Sequence, residues 1–144
     1  MDKLLKNKTA VITGCNRGIG KAILTRFAEE EAEVVACTRK KDETFDKFCS
    51  DLEKKFNVKI YNICFDLENT NEIKSALSEI KEKVKKIDII VNNAGIIQTS
   101  LFQMTKIEDV KKIFEVNFFS VFLFTQFLVK YMIKNKTQSS IINI

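Results

Sequence analysis

The sequence predicts an α/β fold in which helices cover both faces of a doubly wound parallel sheet. Three observations support this prediction: strand and helix patterns alternate along the 144 residues, the strand segments are mostly continuous apolar runs, and a glycine-rich turn joins the first strand to the first helix. Continuous apolar runs are typical of strands buried on both faces. Alternation with helices indicates parallel strands joined by right-handed crossovers, and such sheets bind ligands at the carboxyl ends of their strands.

Five strands and four helices are predicted. The strands are expected at 9–12, 33–38, 59–65, 87–91 and 140–144. Apolar residues at helical spacing predict helices at 21–28, 42–56, 71–85 and 106–134, with connections at 96–105 and 135–139. We expect residues 1–144 to form one domain that stops after the fifth strand.

Composition narrows the classes of function. The chain has no histidine, so proton chemistry would need a tyrosine, a lysine, a carboxylate or a thiol. Its net charge of +5 comes from lysines interleaved with acidic residues, without a basic stripe beside aromatic residues, and we expect no nucleic-acid binding. The four cysteines form no CxxC pair, so we expect no metal site and small apolar roles for all four.

The N-terminus and the most apolar helix bear on location. Charged Asp2 and Lys3 follow Met1 directly, without the apolar core of a signal peptide, and we expect a cytoplasmic, reducing location. Residues 118–129 are apolar nearly all round, but Gln126 interrupts a run that is shorter than the about 20 residues of a membrane span. We expect this helix to be buried in its own protein or in a partner, and not in a membrane.

The turn at 13–20, Thr-Gly-Cys-Asn-Arg-Gly-Ile-Gly, is the main candidate binding element. Its glycines permit positive φ and a close approach of a ligand to the backbone, and the start of the following helix favours an anion. The spacing differs from the strict G-x-G-x-x-G dinucleotide fingerprint and from a P-loop. On this turn alone, a phosphate cradle and plain strand-to-helix punctuation are both open.

Three motifs in order carry a resemblance to a known family. T-G-x-x-x-G-I-G begins at Thr13, Asp66 follows the third strand, and N-N-A-G occupies 92–95. The whole chain thereby resembles the N-terminal portion of classical short-chain dehydrogenases/reductases, with 3-oxoacyl-acyl-carrier-protein reductases among the similar members. The resemblance implies a Rossmann fold with strand order 3-2-1-4-5. It also implies an oxidoreductase that uses a nicotinamide cofactor to reduce a carbonyl to a hydroxyl.

The resemblance also implies which residues hold the cofactor. The glycine turn would hold the pyrophosphate and the adenosine ribose, Asp66 would accept the adenine amino group beside the Leu67 N–H, and the segment after the fourth strand would pass under the ribose. The residues implied in these roles are Gly14, Asn16, Arg17, Gly18, Ile19, Gly20, Asp66, Leu67, Asn93, Ala94 and Gly95.

Several of these positions have structural alternatives. Asp66 could instead initiate the helix before Asn69. The pair Asn92 and Asn93 could serve the sheet through side-chain hydrogen bonds. Asn117 matches the asparagine of the family's catalytic helix, which holds a water through a local break in that helix; a packing role is the alternative.

The end of the second strand predicts the choice of cofactor. An NAD enzyme needs a carboxylate there for the ribose hydroxyl, whereas an NADP enzyme has a cation for the 2′-phosphate. Thr38, Arg39 and Lys40 stand at this position. No carboxylate precedes Asp42, and Arg17 supplies a second guanidinium. We therefore predict NADP; the alternative is that the cations only solvate a loop.

The resemblance places the reacting groups beyond the fifth strand, as a serine and a Tyr-x-x-x-Lys motif. These 144 residues do not contain them there, and Tyr131 with Lys134 is one residue short and lies on the preceding helix. We expect no reductase turnover from these residues alone. We interpret the chain as the cofactor-binding part of a truncated or split protein whose full-length relative reduces a carbonyl with NADPH. The alternatives are a non-catalytic nucleotide-binding or dimerising remnant and a product that does not fold stably. For full-length relatives the resemblance implies a small-molecule or acyl-carrier-bound substrate and a homo-oligomer formed through the helix at 118–129.

Overall fold

The computed structural model describes residues 3–136 and 138–144, and the expectations that involve Met1, Asp2 and Thr137 lie outside the described residues. The secondary-structure elements, in chain order, are β1 (Thr9–Thr13), α1 (Gly18–Glu29), β2 (Glu33–Thr38), α2 (Glu43–Phe56), β3 (Ile60–Cys64), α3 (Thr70–Lys83), β4 (Ile89–Asn92), a 3-10 turn (Phe102–Met104), α4 (Ile107–Phe114), a π-helical segment (Glu115–Phe119), α5 (Ser120–Lys134) and β5 (Ser140–Asn143).

The five strands form one parallel sheet in the order β3-β2-β1-β4-β5, which confirms the predicted fold class and strand order. The chain winds outward from the central β1 through β2 and β3, and then crosses back to β4 on the other side of β1. The order of the strands therefore reverses between β1 and β4. At such a point the connections leave the carboxyl ends of neighbouring strands in opposite directions, which opens a crevice.

Two hydrophobic cores cover the two faces of the sheet, because successive strand residues point to opposite sides. In β1, Val11 packs on the side of α3 and α5, whereas Ala10 and Ile12 pack on the side of α1 and α2. All three residues are fully buried. Helices thus cover both faces, as the continuous apolar runs of the strands predict.

Local chemistry sets the ends of the helices. Asp42 and Asn69 cap α2 and α3, and each uses a side-chain oxygen to accept two backbone N–H groups of the first turn. The first helix begins at Gly18, before the predicted start at 21, because the glycine turn runs directly into it. The predicted helix at 106–134 is one continuous run, but its middle widens into the π-helical segment.

The cysteines occupy small apolar positions, as predicted. Cys15, Cys37 and Cys49 are buried and Cys64 is half-buried. Burial raises the pKa of the Cys15 and Cys37 thiols, and a thiol that stays protonated is a poor nucleophile and a poor metal ligand. Within the part of the chain that the structure describes, no three His, Cys, Asp or Glu side chains converge to hold a metal ion.

The last three helical segments form one run, Ile107–Lys134. Among the described residues, it is the one helix long and apolar enough to cross a membrane, with a mean hydropathy of 1.5 over an 18-residue stretch within it. Core helices of soluble proteins meet the same criterion, so this is weak evidence for a membrane span. Phe124, Leu128 and Met132 are buried in the core beside α3, and they fix α5 on the sheet.

The opposite face of this helical run is an exposed aromatic surface. Phe118, Phe119 and Phe122 expose 59%, 55% and 62% of their area. Within this chain, the expected burial of the helix is therefore found on one face only, and burial of the other face in a partner stays a prediction. Contiguous exposed apolar area of this kind usually marks an interaction site.

Phe124 and Phe122 are a matched pair for testing how α5 packs. Phe124 is 1% exposed and stacks on Phe65 with ring centroids 5.4 Å apart, so we expect Phe124→Ala to lower the free energy of unfolding by about 3–5 kcal/mol. Phe122→Ala, at an exposed position of the same helix, should change it by about 0.5 kcal/mol or less. Chemical denaturation at low protein concentration measures both values. Equal losses in the two variants would contradict this packing.

Candidate functional site

A groove of about 790 Å³ opens at the carboxyl ends of β1, β2, β3 and β4. The glycine turn and the segments that follow the other three strands form its walls. All the predicted cofactor-binding residues except Gly20 border it: Gly14, Asn16, Arg17, Gly18, Ile19, Thr38, Arg39, Asp66, Leu67, Asn93, Ala94 and Gly95. The fold therefore brings together residues that the sequence separates widely.

The glycine turn packs too tightly for side chains at two of its glycines. Gly14 has a φ of +73°, in the left-handed region, and a Cβ there would lie 2.9 Å from Nδ2 of Asn93. At Gly20 a Cβ would lie 2.1 Å from the Gly14 carbonyl oxygen. The first turn of α1 therefore lies directly against the turn. Gly20 is buried behind the groove and does not border it, so its contribution is this close packing.

Hydrogen bonds join the glycine turn to the end of β4. The Asn93 side-chain amide donates to the carbonyl oxygens of Thr13 and Gly14 at 3.0 and 3.2 Å. The Thr13 hydroxyl accepts the backbone N–H groups of Asn93 and Ala94 at 3.1 and 3.0 Å. The Asn92 amide donates to side chains of α5 and β5. Both asparagine side chains therefore make structural hydrogen bonds, which is the alternative role given for this pair. Asn92 joins the sheet to α5, and Asn93 joins the end of β4 to the glycine turn.

The N-terminal end of α1 forms one wall of the groove. Its first turn carries no acidic residue, and Ile19 within that turn borders the groove. The first N–H groups of a helix have no acceptor inside the helix and, with the positive end of the helix dipole, favour an anion. Arg17, directly before the helix, is exposed and borders the same groove. This wall is suited to phosphate groups.

The residues after β2 form a cationic wall. Arg39, Lys40 and Lys41 all border the groove. Asp42 borders it too, but its carboxylate accepts two backbone N–H groups as the cap of α2. The first carboxylate after β2 is therefore engaged in capping a helix, and the side chains ahead of it that carry charge are all positive.

Asp66 lies across the groove from the glycine turn, at the end of β3. Its Oδ2 accepts a hydrogen bond from Nε of Arg39 at 2.8 Å, and its Oδ1 accepts the Glu68 backbone N–H at 2.9 Å. Partial burial opposes ionisation, but these bonds and the positive charges of Arg39 and Lys112 hold the pKa of Asp66 below its ordinary value. The helix that follows is capped by Asn69, so helix initiation does not account for Asp66.

Asn117 lies in the π-helical segment and does not border the groove. Its Oδ1 accepts the Ile96 N–H at 2.9 Å, and its Nδ2 donates to the Ile96 carbonyl at 2.8 Å. The π-helical segment is a local break of the helix at Asn117, as the resemblance implies. Such segments are frequent at functional sites. The side chain itself is committed to the loop after β4 and fixes that loop. The water-holding role stays a prediction.

A second cavity, also of about 790 Å³, lies between α5 and β5. Asn117 borders this cavity, whose apolar lining includes Phe122, Ile141 and Ile144. Ala94 and Gly95 border both the groove and this cavity, so the two spaces adjoin at the end of β4.

Several residues that border the groove were assigned no individual role from the sequence, namely Thr13, Cys37, Lys41, Phe65, Glu68, Ile96 and Val116. Thr13 could have been assigned, because it directly precedes the first glycine of the turn. Glu68 gives no local signal: its side chain contacts Arg39 and Lys112, which are remote in sequence.

Comparison with known proteins places the chain in a family. Residues 8–144 match the family model described as short chain dehydrogenase, and the chain belongs to this family of oxidoreductases, which use a nicotinamide cofactor. The chain is 35% identical over 133 residues to the 3α-hydroxysteroid dehydrogenase of Mediterraneibacter gnavus, covering 92% of this chain and 53% of the relative. It is 36% identical over 140 residues to the 3-oxoacyl-acyl-carrier-protein reductase of Thermotoga maritima, covering 97% and 56% respectively.

A solved structure shares this architecture. The L-sorbose reductase of Gluconobacter frateurii, complexed with NADPH and L-sorbose, matches with a TM-score of 0.90 at 26% identity. The match covers 99% of this chain and 54% of that one. The chain thus spans about half the length of the relatives it matches.

Gly20 and Gly18 test the close packing of the glycine turn. Gly20→Ala would push a methyl group into the Gly14 carbonyl, and we expect the free energy of unfolding to fall by about 3 kcal/mol or more. Gly18→Ala meets open space, and its φ of +54° should cost only about 1 kcal/mol. Thermal or urea unfolding compares the two variants. A Gly20→Ala chain as stable as Gly18→Ala would contradict the packing.

Proposed function

We propose that this chain supplies the cofactor-binding part of an NADPH-dependent carbonyl reductase. The observation that carries the proposal is the groove, in which the anion-favouring end of α1, the cationic segment after β2 and the Asp66 carboxylate border one space. These three chemistries match an adenosine that carries phosphate on two sides. The glycine turn would hold the pyrophosphate, Arg39 the 2′-phosphate and Asp66 the adenine amino group.

The preference for NADP over NAD is proposed from the charges after β2. Arg39, Lys40 and Lys41 line the groove there, and the carboxylate of Asp42 is engaged as a helix cap. A planar guanidinium can bind phosphate oxygens with two parallel hydrogen bonds. Arg39 presents one guanidinium to the groove, and Arg17 presents a second guanidinium from the glycine turn.

NADPH held in this groove would supply a hydride to the carbonyl carbon of the substrate. The residues of this chain would bind and orient the cofactor: the α1 N–H groups and Arg17 would hold the phosphates, and Asp66 would hold the adenine. Asn117 fixes the loop at Ile96, beside the junction of the groove with the second cavity, and we place the nicotinamide end there. The groups that donate a proton to the carbonyl oxygen are proposed to lie outside residues 1–144, so these residues alone bind cofactor without turnover.

The substrate class is proposed from the relatives. A 3-oxoacyl thioester on an acyl carrier follows from the name of the Thermotoga maritima relative. A small-molecule ketone follows from the hydroxysteroid and sorbose enzymes. The apolar lining of the second cavity favours a substrate with hydrocarbon surface.

Self-association is proposed through the exposed aromatic surface of the long helical run. Three neighbouring phenylalanines, Phe118, Phe119 and Phe122, stay more than half exposed while the other face of the run packs on the sheet. A second copy of the same helix presents an equivalent surface, and two-fold symmetric dimers bury the same patch of each copy.

Cofactor titration tests the first proposal. We expect the chain to bind NADP more tightly than NAD, and Arg39→Ala to weaken NADP binding about 10- to 100-fold while leaving NAD binding nearly unchanged, because a charge-assisted contact with the 2′-phosphate is lost. Isothermal titration calorimetry measures the affinities.

The matched control for Arg39 is Arg26→Ala. Arg26 carries the same charge, is paired with Glu29 of α1 and with Glu30 directly after it, and does not border the groove. The Arg26→Ala variant should leave the affinities for NADP and for NAD unchanged. Equal affinity for the two cofactors, or a preference for NAD, would refute the choice of NADP.

Sedimentation tests self-association. We expect the chain to form a dimer or larger oligomer, and replacement of both Phe118 and Phe122 by serine to shift it at least about tenfold toward monomer, because a central apolar contact is lost. Phe102→Ser is the control, since Phe102 is 95% exposed but lies outside this helix. A wild-type chain that is monomeric, or an oligomer that the double variant leaves intact, would refute this surface as the interface.

A further inference from the structure

Four charged side chains meet at the edge of the groove and form one network, the Arg39 cluster. Nε of Arg39 lies 2.8 Å from Oδ2 of Asp66, and its Nη2 lies 3.2 Å from Oε2 of Glu68. The same Glu68 oxygen lies 3.1 Å from Nζ of Lys112, which belongs to α4. Two cations and two carboxylates balance, so the cluster has no net charge.

This balance limits what Arg39 can offer to a phosphate. A guanidinium has five N–H donors, and Arg39 directs those of Nε and Nη2 to carboxylates. The remaining donors can still bind a phosphate, but the nearby Glu68 carboxylate borders the groove and repels it. Without Lys112 the cluster would carry a net negative charge.

We infer that Glu68 weakens the preference of this site for a 2′-phosphate and that Lys112 offsets this effect by holding Glu68. This inference rests on the proposed NADP function. Lys112 does not border the groove, so it acts through Glu68 and is a positioning residue. The residues that set the cofactor preference therefore extend from the end of β2 to the helix α4.

The cluster is open enough for a ligand to rearrange it. The side chains of Arg39, Glu68 and Lys112 are 57%, 31% and 47% exposed. Exposed ion pairs contribute little to folding, so substitutions at Glu68 and Lys112 should leave the melting temperature almost unchanged. Changes in affinity can then be read without a loss of folded protein.

The experiment uses two probes that lack the nicotinamide half, adenosine 2′,5′-bisphosphate and adenosine 5′-monophosphate, titrated into the 144-residue chain. We expect Glu68→Gln to tighten binding of the bisphosphate about three- to tenfold and to change binding of the monophosphate less than about twofold, because one repulsive charge near the 2′-phosphate is removed. Lys112→Gln should weaken bisphosphate binding about threefold.

The double variant separates a specific coupling from a general effect of charge. If Lys112 acts through Glu68, the effect of Lys112→Gln should disappear in the Glu68→Gln background. The charge-matched controls are Glu82→Gln, at the exposed end of α3, and Lys111→Gln, next to Lys112 on α4; neither residue borders the groove, and neither should change either affinity.

The outcomes distinguish this inference from the proposed function. A wild-type chain that does not prefer the bisphosphate refutes the proposed NADP function, and this inference with it. A wild-type chain that prefers the bisphosphate, together with a Glu68→Gln variant that binds it no more tightly, overturns this inference alone. Equal tightening of both probes, or equal tightening by Glu82→Gln, also overturns it.

Discussion

The contact between the glycine turn and the end of β4 is the constraint on which the rest of the structure depends. The Asn93 amide reaches the carbonyls of Thr13 and Gly14, and Gly20 lies so close to Gly14 that no Cβ fits between them. This contact brings the start of α1 to the centre of the sheet, at the point where the order of the strands reverses. The anion-favouring end of that helix therefore faces a groove that three other strands border with polar and cationic residues.

The two faces of the helical run Ile107–Lys134 have different surroundings. One face fixes α5 on the sheet through Phe124, Leu128 and Met132, while the other is an aromatic surface beside the second cavity and the outer strand β5. The chain spans about half the length of the relatives it matches, and it shares its fold with the L-sorbose reductase. The structure thus places a groove that favours anions next to an apolar surface, and the proposed function assigns a role to each.

Much of the fold and the candidate site could be predicted from sequence because the signals are local. Continuous apolar runs predict the parallel strands, and the motifs at Thr13, Asp66 and Asn93 predict which loops meet at the groove. Contacts between distant residues could not be predicted in this way. The pairing of Glu68 with Lys112 follows from how α4 docks, and the commitment of Asn117 to the Ile96 backbone follows from the π-helical segment, which apolar periodicity does not indicate.

The central claim is that the groove beside the glycine turn binds the phosphorylated adenosine of NADP. Amide chemical-shift mapping of the isotopically labelled chain during titration with NADP tests it most directly. The account predicts that the largest shifts cluster at residues 14–20, 38–41, 66–68 and 93–96. Shifts confined to residues 121–126 and 141–144 around the second cavity, with none in the glycine turn, would contradict it.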